Sequence, residues 1–589
     1  MRLEINSFGG MVPLVKDLAL SDKFGSYACN VRFDKGVLSP GSFKLKDAPD
    51  YPYSKTSGTG IRSVAKLFED GTRLGLSEPE GSEAFPSPLE VTDKWGRVYF
   101  MSGSGPSFST TDNYSPGQLN INPISYRLGV EPPDDAPRAD VTSSAASTSA
   151  SGGGDEGGGD SGGDGSGDGS GDGGDGSGDD TAEDEGGDAD EVDVAYIYAF
   201  VDKYGHEGPP SPPSDPVTVF YDVDFSVALR FPSQHPHGGN YTGGLRRVYR
   251  ASYDGSSSAW QFLIDIPITE KAHSDSLPVG EEGEQLVSED WNPAPRAMRS
   301  LCLVASSFAA GMLEHHLRFS ELKLPHAWPE EYSFPLKYSP VKLLPMNNGL
   351  LVLTSGRPYW AEGTDPGSAI PRELPINAPC LSPESVVDVD GVAMYMSPDG
   401  IIAVSQAQGQ LVSASFIDRA GVADLVDEGC TAFSVEGRYV FSTADGRWMS
   451  FTTDGGFVEH KMGYSPGDFR SVTFSVRDNR HYFAFRNGQI RTVDLSSNSD
   501  SAEWVSKVFH STPVSFSAMR LEADSYPVPV EVIASSPGQD DQTFEFEVGD
   551  AYIHRLPCMF GTHWKLRVKV PDDNHVHRAV MAQSGLESA

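Results

Sequence analysis

The chain has 589 residues and a formal net charge of -38, from 83 acidic and 45 basic side chains, with 38% hydrophobic and 10% aromatic residues. At roughly 100 to 200 residues per domain this predicts three to five cores, and 63 glycines with 43 prolines favour turn-rich, strand-built domains over long helices. The charge argues against stable nucleic-acid binding: duplex DNA carries one negative charge per roughly 1.7 Å of axis, and no Lys/Arg cluster offsets the repulsion.

No run approaches the roughly 20 apolar residues that cross a bilayer; residues 301–313 form the best stretch, and Ser306 and Ser307 interrupt it. The start, Met1 to Asn6, lacks the basic and apolar regions of a secretory signal, so synthesis and retention in a cytosol until assembly or lysis are expected. Cys29, Cys302, Cys380, Cys430 and Cys558 are odd in number and never paired as CxxC, which predicts buried thiols and no zinc or disulfide framework. His235 with His237, and His315 with His316, lack the partners of a metal motif and are expected in loops or strands.

Residues 1–140 alternate short strand-like runs with turns, as at Leu3 to Ile5, Ala28 to Arg32, Val64 to Leu67 and Arg97 to Met101, and are expected to pack with the propeller-like or tube-forming region further along the chain. Residues 141–193 are a linker rich in Gly, Asp and Ser, with sixteen acidic residues between Asp155 and Asp193 and no basic one. Such a segment cannot bury apolar surface, so disorder is expected. The alternative, calcium-loaded Gly-Gly-x-Gly-x-Asp repeats, lacks the apolar residue each repeat needs.

Residues 194–295 open on an aromatic strand, Val194 to Asp202, and continue with strands at Val217 to Tyr221, Ser226 to Phe231, Leu245 to Ala251 and Trp260 to Ile266. Gly205-x-Glu207-Gly208, Ser211 and Val248-Tyr249-Arg250 resemble a fibronectin type III-like sandwich, a fold that by itself names no ligand. Residues 296–512 contain recurring hairpins. Their turn glycines Gly349, Gly400, Gly446 and Gly488 are spaced close to the blade period of a β-propeller, so an irregular propeller-like region is expected, with a pair of sandwiches as the alternative. Residues 513–589, with alternation at Val528 to Ile533, Thr543 to Val548 and Lys565 to Val570, are expected to form a small C-terminal β-sandwich. The fold class is thus all-β and multidomain.

Motifs for nucleotide binding or a nucleophile elbow are lacking, and no catalytic, cofactor-binding or metal residue is assigned; no cofactor is expected. Thr452 to Phe457 approaches the Asp box of propeller glycosidases but brings its aromatic early, while Ser442 to Trp448 misplaces the Asp; Asp454 and Asp445 are therefore expected in turns. Arg357, Arg438 and Arg480 could grip a carboxylate if the fold converged them, and Trp328, Trp360 and Trp448 could stack on sugars if exposed.

The order of Phe8-Gly-Gly-Met-Val-Pro13, Ala28-Cys-Asn-Val-Arg32, Gly36-Val-Leu-Ser-Pro40, Arg127-Leu-Gly-Val-Glu-Pro-Pro133, Leu317-Arg-Phe-Ser320 and Pro325-His-Ala-Trp-Pro329 resembles the nozzle or tail-tubular proteins of short-tailed bacteriophages. Val352-Leu-Thr354, Pro358-Tyr359, Gly363-x-Asp365-Pro366, Ser397-Pro-Asp-Gly400 and Glu436-Gly-Arg-Tyr439 extend the likeness to nearly everything except the acidic linker. The resemblance implies a non-enzymatic virion protein, made in the host cytoplasm. It implies a ring of identical subunits, six by analogy, that extends and closes the DNA ejection channel. The implied partners are copies of itself, tail adaptor or connector proteins and tail fibres, with DNA only as passing cargo and no membrane insertion. A head-to-tail joining or peripheral tail protein, and a propeller-based host-glycan binder or glycosidase, are the alternatives.

Overall fold

A computed structural model describes residues 2–48, 61–76, 84–144, 191–220, 224–233, 236–253, 259–347, 349–475, 477, 479–495 and 502–585. The acidic linker from 145 to 190 lies outside the described residues, and with it the calcium-repeat alternative. The chain is all-β: among the described residues, the helices are one α-helix, Arg419–Leu425, and single 3-10 turns. Two compact units emerge, Met1–Leu128 with Pro293–Ala589, and Gly129–Asn292.

In the larger unit the expected hairpins form in the expected places. Ser397 pairs with Gly400, Ser442 with Trp448 and Ala484 with Ile490 across their turns. Gly400, Gly446 and Gly488 sit at φ of 136°, 85° and 86°, where a Cβ would be strained. Five successive antiparallel sheets follow, beginning at Arg299–Val304, Pro340–Met346, Val387–Val389, Ala432–Val435 and Phe469–Ser475. We number them blades three to seven, because two more sheets precede them. Blade one comprises Ser63–Lys66, Arg73–Leu76 and Leu119–Ile121; blade two comprises Phe85–Pro86, Val98–Ser102, Gly105–Ser109 and Tyr126–Arg127.

Apolar faces seal the joints between neighbouring sheets. Leu74 and Val98 join blades one and two; Val304 and Leu343 join three and four; Leu353 and Tyr395 join four and five. Met396 and Tyr439 join five and six, Phe433 and Phe483 join six and seven, and Val64 and Tyr482 join seven back to one. Between blades two and three the backbones nearly touch: a Cβ on Gly105 would lie 2.6 Å from the Arg296 carbonyl oxygen. The seven sheets therefore close a propeller-like ring, which draws in residues 63–127 as well as the expected hairpin region.

Two devices close it. The N-terminal strand Lys44–Asp47 pairs with Ile490–Asp494 as the outer strand of blade seven. On the inner side, alternate hydroxyls of Phe469–Ser475 satisfy the backbone of Ser63–Lys66: the Val64 N–H donates to Thr473 Oγ1 at 3.3 Å, the Lys66 N–H donates to Ser475 Oγ at 3.2 Å, and Ser471 donates to the Arg62 carbonyl. Period-two placement puts all three hydroxyls on one side of the strand.

The strands between Ala502 and Ala582 share their two sheets with strands from the N-terminal segment. Gly25–Cys29 pairs with Ala502–Ser506, which pairs with Gly561–Val570, then Val528–Ser535, then Gln542–Val548, and this sheet is continuous with blade six. The facing sheet combines Val31–Asp34, Val37–Pro40, Val576–Ala582, Ala518–Ala523 and His554–Arg555, with Arg2–Ile5 alongside. Trp504 and Trp564 fill the space between the sheets; Trp504 donates to the Gly9 carbonyl at 2.8 Å, and Trp564 meets Phe516 edge-on at 4.7 Å. The sandwich thus combines N-terminal and C-terminal strands; Ala502–Ser506 lies within the stretch expected to be propeller, and Phe509–Val514 straddles its end at 512.

The smaller unit is a two-sheet sandwich: Arg138–Ser144, Phe225–Arg230 and Ala272–Asp275 face a sheet of Glu207–Pro210, Glu191–Val201, Leu245–Tyr253, Gln261–Pro267 and Val217–Phe220. Tyr196, Tyr198, Val227 and Val248 are in its core. Arg246 and Arg250 are fully buried there. Arg250 reaches Asp275 at 2.7 Å and Glu282 at 2.6 Å. Burial disfavours its charge, but the two carboxylates outweigh burial and hold the guanidinium above its ordinary pKa. Glu207, from the Gly-x-Glu-Gly motif, accepts from Tyr249 at 2.7 Å, Ser288 at 2.8 Å and Arg247 at 2.8 Å.

Candidate assembly surface

The residues singled out for chemistry do not converge. Trp328 is fully buried and donates to the Pro325 carbonyl at 2.8 Å, Trp448 is buried and donates to Tyr464 at 3.1 Å, and Trp360 is buried between blades four and five. All three are core residues, and none offers a face to a sugar. Arg357 pairs with Glu373 at 3.1 Å on blade four, Arg438 with Glu436 at 2.7 Å on blade six, and Arg480 belongs to blade seven. Burial pushes the Arg438 guanidinium below its ordinary pKa despite Glu436.

Asp445 is in a turn, as expected. The Thr443 hydroxyl, donating at 2.6 Å, and Arg447 at 2.8 Å hold its carboxyl below the ordinary value. Asp454 is likewise an exposed turn residue. His237 and His315 are exposed and His316 starts a strand of blade three; His235 lies outside the described residues.

Four cysteines are buried, and burial pushes Cys380 and Cys430 up to about 12. Cys558 departs from the expectation and is exposed, because it follows Pro557 in the irregular stretch between His554–Arg555 and Gly561–Val570.

Concavities are found on two parts of the larger unit. A cleft of about 840 Å³ on the terminal sandwich is lined by Tyr27, Glu503, His563, Lys565 and Arg567. Its charges neutralise one another: Arg567 bridges Glu503 at 2.7 Å and also Glu531, and Lys565 meets Asp17 at 3.3 Å. A second cavity of about 460 Å³ runs beside the outer strand of blade seven, lined by Asn30, Lys44, Leu45, Lys461, Met462, Gly463 and Tyr464.

Among the described residues no group of three or more His, Cys, Asp or Glu is arranged to hold a metal. Asp524 is shared by His577 at 2.6 Å and His575 at 3.1 Å as an ion-pair acceptor; the His577 hydrogen bond holds its carboxyl below the ordinary value.

What the surface does offer is sheet edge. Gln542–Val548 ends the large sheet and has no partner along its outer side among the described residues. It alternates exposed Glu545 and Glu547 with half-buried Phe544 and Phe546, whose rings stack at 5.1 Å. Beyond it the chain exposes Tyr552 (78%), Ile553 (42%) and Phe560 (58%). An open strand edge carrying aromatic side chains is a template for pairing with another chain. Sequence reasoning read this strand as part of a sandwich and missed its edge position. The Phe-Glu-Phe-Glu alternation, with an acid on the outward face, was the available signal.

No family model matches the chain, and no curated protein does. Among solved structures it is similar to BBS1N in complex with ARL6DN (TM-score 0.24, 10% identity, 47% of this chain and 86% of that one). It is also similar to Kluyvelomyces marxianus Hsv2 (TM-score 0.23, 9% identity, 45% and 68%) and to the Dos1 propeller (TM-score 0.20, 9% identity, 77% and 95%). At these scores the likenesses bear no weight, and the architecture stands on the chain's own strand pairing.

Proposed function

We propose that this chain is a structural subunit of a bacteriophage tail, of the nozzle or tail-tubular kind, and that copies of it close into a ring around the DNA channel. The supporting observation is the open, aromatic-bearing edge of Gln542–Val548 on a body whose regular structure is almost all strand. A rigid wall that must bind its own copies needs such an edge, whereas a free monomer ordinarily protects it. The net charge of -38 suits a wall past which DNA slides without sticking. The resemblance along the motifs from Phe8 to Tyr439 supplies the tail, the channel and the adaptor and fibre partners.

The test is twofold. Purified chain, examined by sedimentation velocity across a concentration series, should form a closed oligomer of defined mass. Gold-labelled antibody against it should decorate the tail tip of intact particles in electron micrographs. A chain that stays monomeric at every concentration and is missing from particles refutes the proposal; label at the head–tail joint or the tail side favours the joining or peripheral alternative.

A further inference from the structure

The open acidic strand has a counterpart on the same molecule. Lys44–Asp47 is the outer strand of blade seven, and its far side is unpaired among the described residues. Lys44 and Lys46 are two residues apart and share a face, with buried Leu45 between them. Lys46 also meets Asp494 at 3.1 Å, an exposed pair that a second carboxylate can join or replace. The 460 Å³ cavity opens beside this strand and adds Lys461. At its wall Asn30, 1% exposed, accepts from the Lys461 N–H through Oδ1 at 3.0 Å, while its Nδ2 has no hydrogen-bond partner. In a chain with nearly twice as many acids as bases, this edge gathers three lysines, while the one acid of its own strand, Asp47, is met by Arg491 at 3.3 Å.

We infer that the edge Gln542–Val548 of one copy lies along the edge Lys44–Asp47 of the next, with Glu545 and Glu547 against Lys44, Lys46 and Lys461. The inference rests on the ring reading above and names its contact. Charge selects the pairing: two acidic edges laid together would set glutamates against glutamates, and two basic edges lysines against lysines, both unfavourable. Only acidic on basic attracts. The repeats match as well, since glutamates and lysines each recur every second residue, about 7 Å along a strand. Because the two edges are different surfaces of one molecule, the contact is head-to-tail, the kind that generates rings instead of two-fold dimers.

The experiment uses full-length chain and mass photometry. E545K/E547K and K44E/K46E are each expected to weaken association at least tenfold, because each leaves like charge on both edges. An equimolar mixture of the two should regain assembly, since every junction again joins acid to base, and the fourfold swap in one chain should assemble alone. Far-ultraviolet circular dichroism and melting curves check folding. Should one variant fail to fold, E545Q/E547Q must still weaken assembly and blunt its salt sensitivity. Wild-type chain that assembles while folded variants assemble equally well overturns this contact and leaves the ring standing. Wild-type chain that never assembles overturns both.

Discussion

Replacing Arg250 by methionine should destabilise the smaller unit by about 3–5 kcal/mol, the usual cost of removing one partner from a buried ion pair. The structure gives the reasons. The Arg250 guanidinium donates to Asp275 at 2.7 Å, to Glu282 at 2.8 and 2.6 Å, and to the carbonyls of Leu277 and Pro278 at 2.8 and 3.0 Å. Without it, carboxylates only 1% and 2% exposed lose their cation. Asp275 keeps donors from the Tyr196 hydroxyl at 2.8 Å and the Leu277 N–H at 3.0 Å, and Glu282 keeps the Gly280 N–H at 2.8 Å. Domains are typically stable by about 5–15 kcal/mol, so the variant approaches the limit of folding.

Urea unfolding of the full chain at pH 7, followed by proteolytic nicking within residues 191–275, measures the loss. The triple variant R250M/D275N/E282Q should regain much of it, because neutral side chains tolerate the site without a cation. A loss below about 1 kcal/mol at pH 7, or a triple variant no more stable than R250M, refutes the reasoning.

Three further outcomes are expected. Burial lowers His481 from 6.5 to about 4, so the folded chain holds it neutral while the unfolded chain protonates it; its contribution is present above pH 6.5 and is lost as pH falls toward 4, a loss of roughly 3 kcal/mol that H481Q should remove from the acid limb of an unfolding-versus-pH series. Changing Ser471 to Ala, Thr473 to Val and Ser475 to Ala should cost on the order of 1 kcal/mol per hydrogen bond and speed hydrogen exchange of the Val64 and Lys66 amides, with exchange in blade four as the unchanged control. A thiol-specific maleimide should label one cysteine per native chain, Cys558, and all five after denaturation.

Local elements were legible because their causes are local. Alternating apolar residues around Pro398-Asp399-Gly400 or Ala444-Asp445-Gly446 leave few conformations other than a hairpin, and the paired strands follow. The smaller unit's strands could be read for the same reason. Membership was harder to read. Residues 63–76 show two short strands whose motifs say nothing of a seventh blade more than 400 positions away, yet the Thr473 hydroxyl meets the Val64 amide across 409 residues. The C-terminal sandwich, similarly, is completed by Gly25–Cys29 through contacts such as Ser26 to the Ser506 carbonyl, 480 residues apart.

The candidate surface divides along the same line. An acidic, all-β chain with tight hairpins can be read from local sequence, because charge, alternation and turn chemistry act within a few residues. It took long-range packing to make Trp328, Trp360 and Trp448 core, to leave Cys558 outside, and to set which strands end at an edge. A side chain's exposure, and a strand's unpaired side, depend on which distant segment packs against it, and no local pattern contains that information.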